Sequence, residues 1–153
     1  MAANTSALVY GGDFMLFLAS STGATQVPIA FSTSAKLTIN MKTREASSKD
    51  SGNWVDKLPG KLDWNVSTDA LYSDGTLTSS TGYQTLYGYM VARSGMTMAF
   101  AQKSGTTQQW ALDGSKNYFH GTVYITSLDV SSPDGEQVTF TMSAEGSGEL
   151  LYD

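Results

Sequence analysis

The sequence predicts a mainly β protein, a β-sandwich or partial barrel of about seven strands with one flanking α-helix. Fifteen of the 153 residues are glycine, three are proline and 15% are charged, which is typical of a strand-rich protein with many turns. Several segments alternate apolar and polar residues with the period of a half-buried strand, and one segment has helical spacing. The apolar fraction of 41% allows a packed core and argues against disorder.

Short apolar or alternating segments indicate the first strands. Residues 13–19 are almost continuously apolar, as in a strand that is covered on both faces. Residues 27–31 are the next candidate, after a Ser-Ser-Thr-Gly turn at 20–23. Residues 35–42 and 61–67 alternate strictly, and we expect their apolar faces to build the core. These faces consist of Ala35, Leu37, Ile39, Met41, Leu62, Trp64 and Val66.

A long charged connection, residues 43–60, joins these two alternating strands. It is roughly three times the median connection length in compact domains, and loops of that length are usually functional or disordered. Trp54 lies within it, and an aromatic side chain in a polar loop is typical of an interface rather than of a core. We therefore expect a functional loop.

Residues 79–93 carry the one helical pattern. Its apolar face repeats every three or four residues, Ser80 or Thr81 serves as the N-cap, and Gly95 lies at the C-terminal end. The face consists of Tyr83, Leu86, Tyr87 and Met90.

Four further strands are predicted after the helix, at residues 96–101, 110–112, 118–130 and 137–143. In the third of these, the apolar residues change parity between residues 125 and 128, which predicts a β-bulge near Thr126 or Ser127. The dipeptide Asp134-Gly135 predicts a hairpin turn before the fourth.

Three of the predicted strands have a hydrophilic face without an aromatic residue: 35–42, 61–67 and 137–143. The solvated side of a sheet has this composition, and the wall of a water-filled pore would have it too. The candidates for such a wall are Lys36, Thr38, Asn40, Asp63, Asn65, Gln137, Thr139 and Thr141.

The net charge of −5 is unevenly distributed. Residues 1–61 carry six bases and four acids, hence +2, and residues 62–153 carry three bases and ten acids, hence −7. This distribution provides no basic groove for tight nucleic-acid binding, and an acidic surface repels polyanions. The chain begins without a signal-peptide pattern, and its longest apolar run, 14–19, is too short to span a bilayer. We therefore expect a soluble, unexported protein without a membrane partner.

The residues offer little chemistry for catalysis or metal binding. The chain has no cysteine, and His120 is its only histidine, so neither a zinc site nor a thiol nucleophile is indicated. Asp129 and Glu136 flank a turn, where solvation explains both carboxylates. The Asp-Gly pairs lack the alternating oxygen ligands of a calcium loop. We expect no enzyme activity, no metal and no cofactor.

Two groups of motifs share their order with a known family. The first comprises Ser47-Ser48-Lys49-Asp50-Ser51-Gly52, Trp54, Leu58-Pro59-Gly60-Lys61, Trp64 and Asp69-Ala70-Leu71-Tyr72. The second comprises Gly121, Ile125-Thr126-Ser127-Leu128, Asp134-Gly135-Glu136 and Ser143-Ala144-Glu145-Gly146-Ser147-Gly148-Glu149-Leu150. Together they resemble the major tail tube protein of long-tailed, non-contractile phages. Residues 73–116 match that family by the order of their elements.

The resemblance implies a structural virion protein in which residues 1–153 form one tail tube domain. Such proteins assemble into hexameric rings, and the rings stack into the tube through which the genome leaves. The loop 43–60 would then contact the neighbouring ring, and the segments 1–12 and 146–153 would be engaged in assembly. The contact residues of the loop would be Arg44, Glu45, Lys49, Asp50, Trp54, Asp56 and Lys57.

The family also implies one continuous barrel, made from the inner strands of six subunits, with a hydrophilic lumen that tends to be negative. About four strands per subunit, at roughly 4.8 Å spacing and 40° tilt, give a barrel about 48 Å across. Duplex DNA would pass through it without specific binding. The implied partners are other tail proteins, namely tape measure, tail terminator and baseplate or distal tail proteins. The implied location is the virion tail, after assembly in the host bacterial cytoplasm.

Two alternatives stay open. A tube subunit of a contractile or secretion apparatus would share the fold. A carbohydrate-binding β-sandwich would instead use Trp54, Tyr83 and Tyr87 as a platform for sugar rings.

Overall fold

The computed structural model describes residues 8–19, 26–74, 80–106 and 109–153. Within these residues the chain forms eight strands and one α-helix, α1 (Tyr83–Ala92). No helix in the described ranges is long and apolar enough to cross a membrane. The strands are β1 (Phe14–Ala19), β2 (Val27–Pro28), β3 (Ser32–Glu45), β4 (Lys57–Leu71), β5 (Met96–Thr106), β6 (Gln109–Leu112), β7 (Phe119–Ser131) and β8 (Thr139–Tyr152).

The strands form one antiparallel sheet with the order β2-β1-β5-β7-β8-β4-β3, and β6 pairs with β5 beside this path. β1 and β3 lie near opposite ends of this order and yet contact each other, so the sheet curls into a partial barrel. The prediction of a mainly β fold with one flanking helix is confirmed. The part of the chain that the structure describes has eight strands rather than about seven.

The main core lies inside this curl, and α1 contributes Leu86 to it. A smaller cluster on the opposite face of β1 and β5 consists of Phe17, Ala99 and Ala101. β1 is therefore covered on both faces, with Leu16 and Leu18 in the main core and Phe17 in the smaller cluster. This confirms the interpretation of its continuous apolar run.

The predicted features of β7 and β8 are confirmed. Ile125 pairs with Ala144 and Ser127 pairs with Ser143, which leaves Thr126 as the extra residue of a bulge. The two strands form a hairpin around the Asp134-Gly135 turn, in which Gly135 has a φ of 77°.

The capping prediction for the helix is wrong at both ends. The N-cap is Gly82, with no side-chain capping bond, and the C-cap is Arg93 in the left-handed region rather than Gly95. Thr81 is instead fixed by backbone bonds: its N–H donates to the carbonyl of Pro28 (2.8 Å), and its carbonyl accepts from the N–H of Ala30 (2.9 Å). The helix therefore starts later than the sequence pattern suggests.

The predicted apolar face of the helix is confirmed in part. Leu86 is buried, and Tyr83 and Met90 pack against the main core. Tyr87 is exposed instead, and Tyr89 takes part in the packing.

β2 is shorter than predicted and ends at Pro28, because the chain turns at Ala30 and Phe31. β3 and β4 are longer than predicted, so the connection between them is residues 46–56 rather than 43–60. Arg44, Glu45 and Lys57 were assigned to the loop and lie in these strands. The turn predicted at 20–23 lies outside the described residues, and so does the glycine of the Asp-Gly pair at 74–75.

Candidate assembly surfaces

Four adjacent strands, β3, β4, β8 and β7, share one hydrophilic face. Thr38 lies opposite Asn65, Asn65 opposite Glu145, and Glu145 opposite Tyr124. Because directly opposite residues in antiparallel strands project from the same side of a sheet, this row crosses all four strands. We call this surface, which is turned away from the core, the outer face.

The outer face contains seven of the eight predicted wall residues. The exception is Gln137, which precedes β8 and lies exposed in the turn region. Its placement in the strand is wrong because β8 begins only at Thr139, and its assignment to a pore wall stays a prediction. The seven are Lys36, Thr38, Asn40, Asp63, Asn65, Thr139 and Thr141.

Asp69 ties three strands of the outer face together. Ser34 on β3 donates its hydroxyl to Oδ2 of Asp69 (2.9 Å), and Thr141 on β8 donates to Oδ1 (2.7 Å). Both oxygens of the carboxylate are thus engaged, one from each neighbouring strand. Hydrogen bonds to a charged acceptor are stronger than those to a neutral one. The two bonds therefore hold the side chain of Asp69 in place on the outer face.

Acids outnumber bases by one on this face. Its carboxylates are Asp63, Asp69, Asp129 and Glu145, and its bases are Lys36, Lys42 and Lys61. The Nζ of Lys42 lies 3.9 Å from a carboxylate oxygen of Asp63, with both side chains largely exposed, so this pair contributes little to stability. Asp129 was missed as a member because it was assigned to a turn, whereas β7 continues to Ser131 and pairs Asp129 with Thr141.

The hairpin of β3 and β4 projects beyond the rest of the sheet. β4 pairs with β8 only from Asn65 to Leu71, so the hairpin beyond Asn65 is a two-stranded ribbon. We call residues 41–62 the arm. Ile39 at its base, and Met41 and Leu62 on it, are each more than half exposed, and their prediction as core residues is wrong for this reason.

The remaining residues of the two predicted apolar faces do belong to the core. Trp64 and Val66 are buried in the main core, and Ala35 and Leu37 pack against that core. The indole Nε1–H of Trp64 donates to the carbonyl of Gly148 (3.1 Å), which satisfies the one polar group of this core side chain.

Hydrogen bonds close the tip of the arm, residues 46–56. The N–H of Ala46 donates to the carbonyl of Asp56 (2.8 Å), and the N–H of Asp56 donates to Oγ of Ser47 (3.0 Å). Trp54 is 84% exposed at this tip. The other predicted contact residues, Arg44, Glu45, Lys49, Asp50, Asp56 and Lys57, are also exposed along the arm.

The three aromatic residues of the sugar-platform alternative lie on two separate elements. Tyr83 packs against Tyr72 and Phe140, with ring centroids 5.4 Å apart in both cases, and Tyr87 stacks on it at 6.5 Å. Trp54 lies at the tip of the arm instead. The structure therefore gives this alternative no support.

His120 contacts two neighbouring side chains, those of Asp153 and Tyr118. Its Nε2 lies 2.5 Å from Oδ1 of Asp153, and its ring contacts that of Tyr118. Across the described ranges, no three His, Cys, Asp or Glu side chains group in a way that could hold a metal ion.

The chain is similar in structure to subunits of known tails. A chain from the tail of an empty gene transfer agent particle, refined with C6 symmetry, gives a TM-score of 0.74 at 15% identity, covering 95% of this chain and 99% of that one. A chain of the SPP1 tail tube gives 0.71 at 14% identity, covering 95% and 79%.

A chain from the sheath-tube complex of PVC, an extracellular contractile injection system, gives a lower TM-score of 0.61 at 13% identity, with 99% of each chain covered. No protein-family model and no curated protein sequence matches the chain. The structural matches extend over nearly its whole length, and at the level of the fold they confirm the resemblance that the motifs indicate. The chain has the tail tube fold.

Proposed function

We propose that this chain is a structural tail tube subunit that self-assembles into hexameric rings, which stack to form a conduit for genome ejection. The observation that carries the proposal is the fold match over 95% of the chain to a tail with C6 symmetry and to a phage tail tube. The chain forms one domain, and its role is assembly rather than catalysis.

The outer face is suited to line the lumen. It spans four adjacent strands, so six copies would supply about 24 strands and a barrel about 48 Å across. Its hydroxyl, amide and carboxylate groups would keep water at the wall, and its excess of acids would keep DNA phosphates from adhering. Duplex DNA would then slide through without a specific site.

The arm is suited to contact the neighbouring ring. It extends beyond the sheet, carries exposed apolar side chains such as Met41, Leu58 and Leu62, and consists of a ribbon whose edges need a partner. A head-to-tail contact of this kind propagates along a filament. The predicted contact residues from Arg44 to Lys57 would lie in this interface.

The terminal segments would add to the assembly contacts. Residues 146–152 belong to β8 and pair with β7, so they would contribute through exposed side chains such as Glu149. At the ends of the tube, the rings would meet the tape measure, terminator and baseplate or distal tail proteins. The location would be the virion tail, after assembly in the cytoplasm of the bacterial host.

The higher TM-scores with the gene transfer agent tail and the SPP1 tail tube favour a non-contractile tail over a contractile apparatus. A tube subunit of a contractile or secretion system stays the second candidate because the folds are shared.

Sedimentation velocity over a range of concentrations tests the proposal. The intact chain is expected to form rings and then long particles. In a matched variant, residues 47–55 are replaced by Asn-Gly, which joins Ala46 to Asp56 through a two-residue hairpin turn. That variant is expected to keep its fold and stop at single rings. A monomer at every concentration of the intact chain would contradict the proposal, and long particles from the shortened variant would contradict the role of the arm.

A further inference from the structure

We propose that an apolar cleft between β1, β2, β3 and β5 receives Trp54 from the arm of a second copy. This inference rests on the self-assembly proposed above, and it adds the acceptor site. The cleft has a volume of about 830 Å³. Its lining includes the apolar residues Phe14, Ile29, Phe31, Ala35 and Phe100, together with four hydroxyl side chains, Lys103, Gly11 and Gly12.

The cleft is preformed by packing. Phe14 and Phe100 meet edge to face with centroids 4.5 Å apart, and Ile29, another lining residue, is buried. On another wall, the Nζ of Lys103 lies 4.1 Å from the ring centroid of Trp110. A pocket with a mainly apolar lining and some polar groups is suited to an aromatic side chain that carries one polar group, such as an indole.

Phe31 provides a second observation at the same place. It is 58% exposed and has a φ of 54°, a conformation that is an outlier for a bulky residue. Two backbone bonds hold the segment: the carbonyl of Phe31 accepts from the N–H of Leu71 (3.1 Å), and the N–H of Ala30 donates to Thr81 (2.9 Å). Strain of this kind persists where the surrounding structure imposes it, and it clusters at functional sites. Here it holds an exposed aromatic ring in the lining of the cleft.

Trp54 fits this cleft as an occupant. It is the most exposed large apolar side chain among the described residues, and Val55 beside it is also exposed. The hydrogen bonds of Ala46, Ser47 and Asp56 close the tip, so little order needs to be gained on binding. An indole buries about 150–250 Å² in such a site and is a typical centre of an interface.

The charges favour a second copy as the source of the occupant. The tip, residues 46–56, carries Lys49, Asp50 and Asp56, hence −1, and the one charged residue in the lining of the cleft is the base Lys103. The tip of one copy and the cleft of another therefore have charges of opposite sign at the contact. Because donor and acceptor are different surfaces of one chain, the contact is heterologous and can repeat without closing.

Mixed single-cysteine cross-linking tests the inference, since the chain has no cysteine of its own. Asn53→Cys places a thiol next to Trp54 and keeps the indole. Gly12→Cys places one in the lining of the cleft, where a Cβ meets no atom within 4 Å. Gly88→Cys on the exposed surface of α1 is the matched control, because a Cβ there is equally free. The two variants of each pair are mixed and treated with a short bismaleimide.

The Asn53–Gly12 pair is expected to cross-link at least about tenfold faster than the Asn53–Gly88 pair, because docking raises the effective concentration of the two thiols. Adding Trp54→Ala to the Asn53→Cys variant is expected to abolish this difference. Equal rates for the two pairs, or no effect of Trp54→Ala, would overturn the inference.

Electron microscopy of the same samples before cross-linking separates this inference from the proposed function. Tubes without the Gly12-specific cross-link would overturn the cleft as acceptor and leave the tube function standing. Monomers without that cross-link would overturn both. A Gly12-specific cross-link that depends on Trp54 supports the cleft, whatever the size of the assembly.

Discussion

The indole of Trp64 on β4 occupies the space over Gly146 on β8 where a side chain would stand. A Cβ added at Gly146 would coincide with the indole, and one added at Gly121 on β7 would lie 2.7 Å from it. The two glycines thus make room for a core tryptophan that spans three adjacent strands. This explains why two glycines occur within strands, where glycine otherwise weakens the sheet.

Gly146→Ala is expected to destabilise the fold by about 2–3 kcal/mol, because the new methyl group overpacks a site that rigid ring atoms already fill. Chemical denaturation measures the change in the free energy of unfolding. Gly114→Ala is the control, since a Cβ there meets nothing within 4 Å, and its effect should stay within about 0.5 kcal/mol. Equal effects of the two substitutions would contradict the packing described for Trp64.

At Phe31 we expect glycine to be more stable than alanine. The φ of 54° costs a residue with a Cβ about 1 kcal/mol that glycine avoids. Phe31→Gly should therefore unfold at a higher denaturant concentration than Phe31→Ala, although both lose the same aromatic ring. At Thr38, an ordinary β3 position, the order should reverse. If alanine is the more stable residue at both sites, Phe31 does not carry backbone strain.

Ser115 is expected to hold the pKa of Asp113 below its usual value of 3.8, through its hydroxyl (2.6 Å) and then its backbone N–H (3.0 Å). Because the folded pKa is lowered, this contribution to stability is present above the unfolded pKa and disappears as the pH falls through the folded pKa. Ser115→Ala should raise the pKa part of the way towards 3.8, as followed by NMR titration of the carboxyl carbon. Lys116→Gln should raise it less, since Lys116 is the weakest of the causes. A titration that Ser115→Ala leaves unchanged would refute this assignment.

Lysines on the outer face should make assembled tubes retain DNA. Asn40→Lys and Asn65→Lys are both on this face, so in the proposed tube they would add two positive charges per subunit to the lumen and attract phosphates. Co-sedimentation of tubes with short duplex DNA at low salt should show binding that falls steeply as salt is added.

The matched control for this charge change is the pair Gln84→Lys and Asn117→Lys, which are exposed on α1 and in the β6–β7 turn region. Tubes of this control should bind less DNA. If the control retains DNA to the same extent, the outer face does not line the channel.

The features predicted correctly from the sequence depend on neighbours in the chain. The bulge at Thr126 follows from a change of parity, and the hairpin at Gly135 follows from turn chemistry. The burial of Trp64 follows from alternation along one strand. All three patterns are local, so a single sequence contains them.

The errors arise from pairings between distant segments. Polar residues such as Arg44 extend β3 because Leu58 and its neighbours pair with them, and no pattern within either segment indicates this. Met41 and Leu62 are exposed because β8 stops pairing with β4 at Asn65. The cleft was also missed, since it combines residues from four strands and depends on the conformation at Phe31.

The most direct measurement is a helical reconstruction by cryo-electron microscopy of particles formed by the pure, concentrated protein. The proposed function predicts sixfold rings stacked into a tube, with Asp69, Asn65 and Thr141 facing the lumen and the arm reaching the next ring. A protein that stays monomeric at every concentration would contradict it. So would a tube whose lumen is lined by any surface other than the outer face.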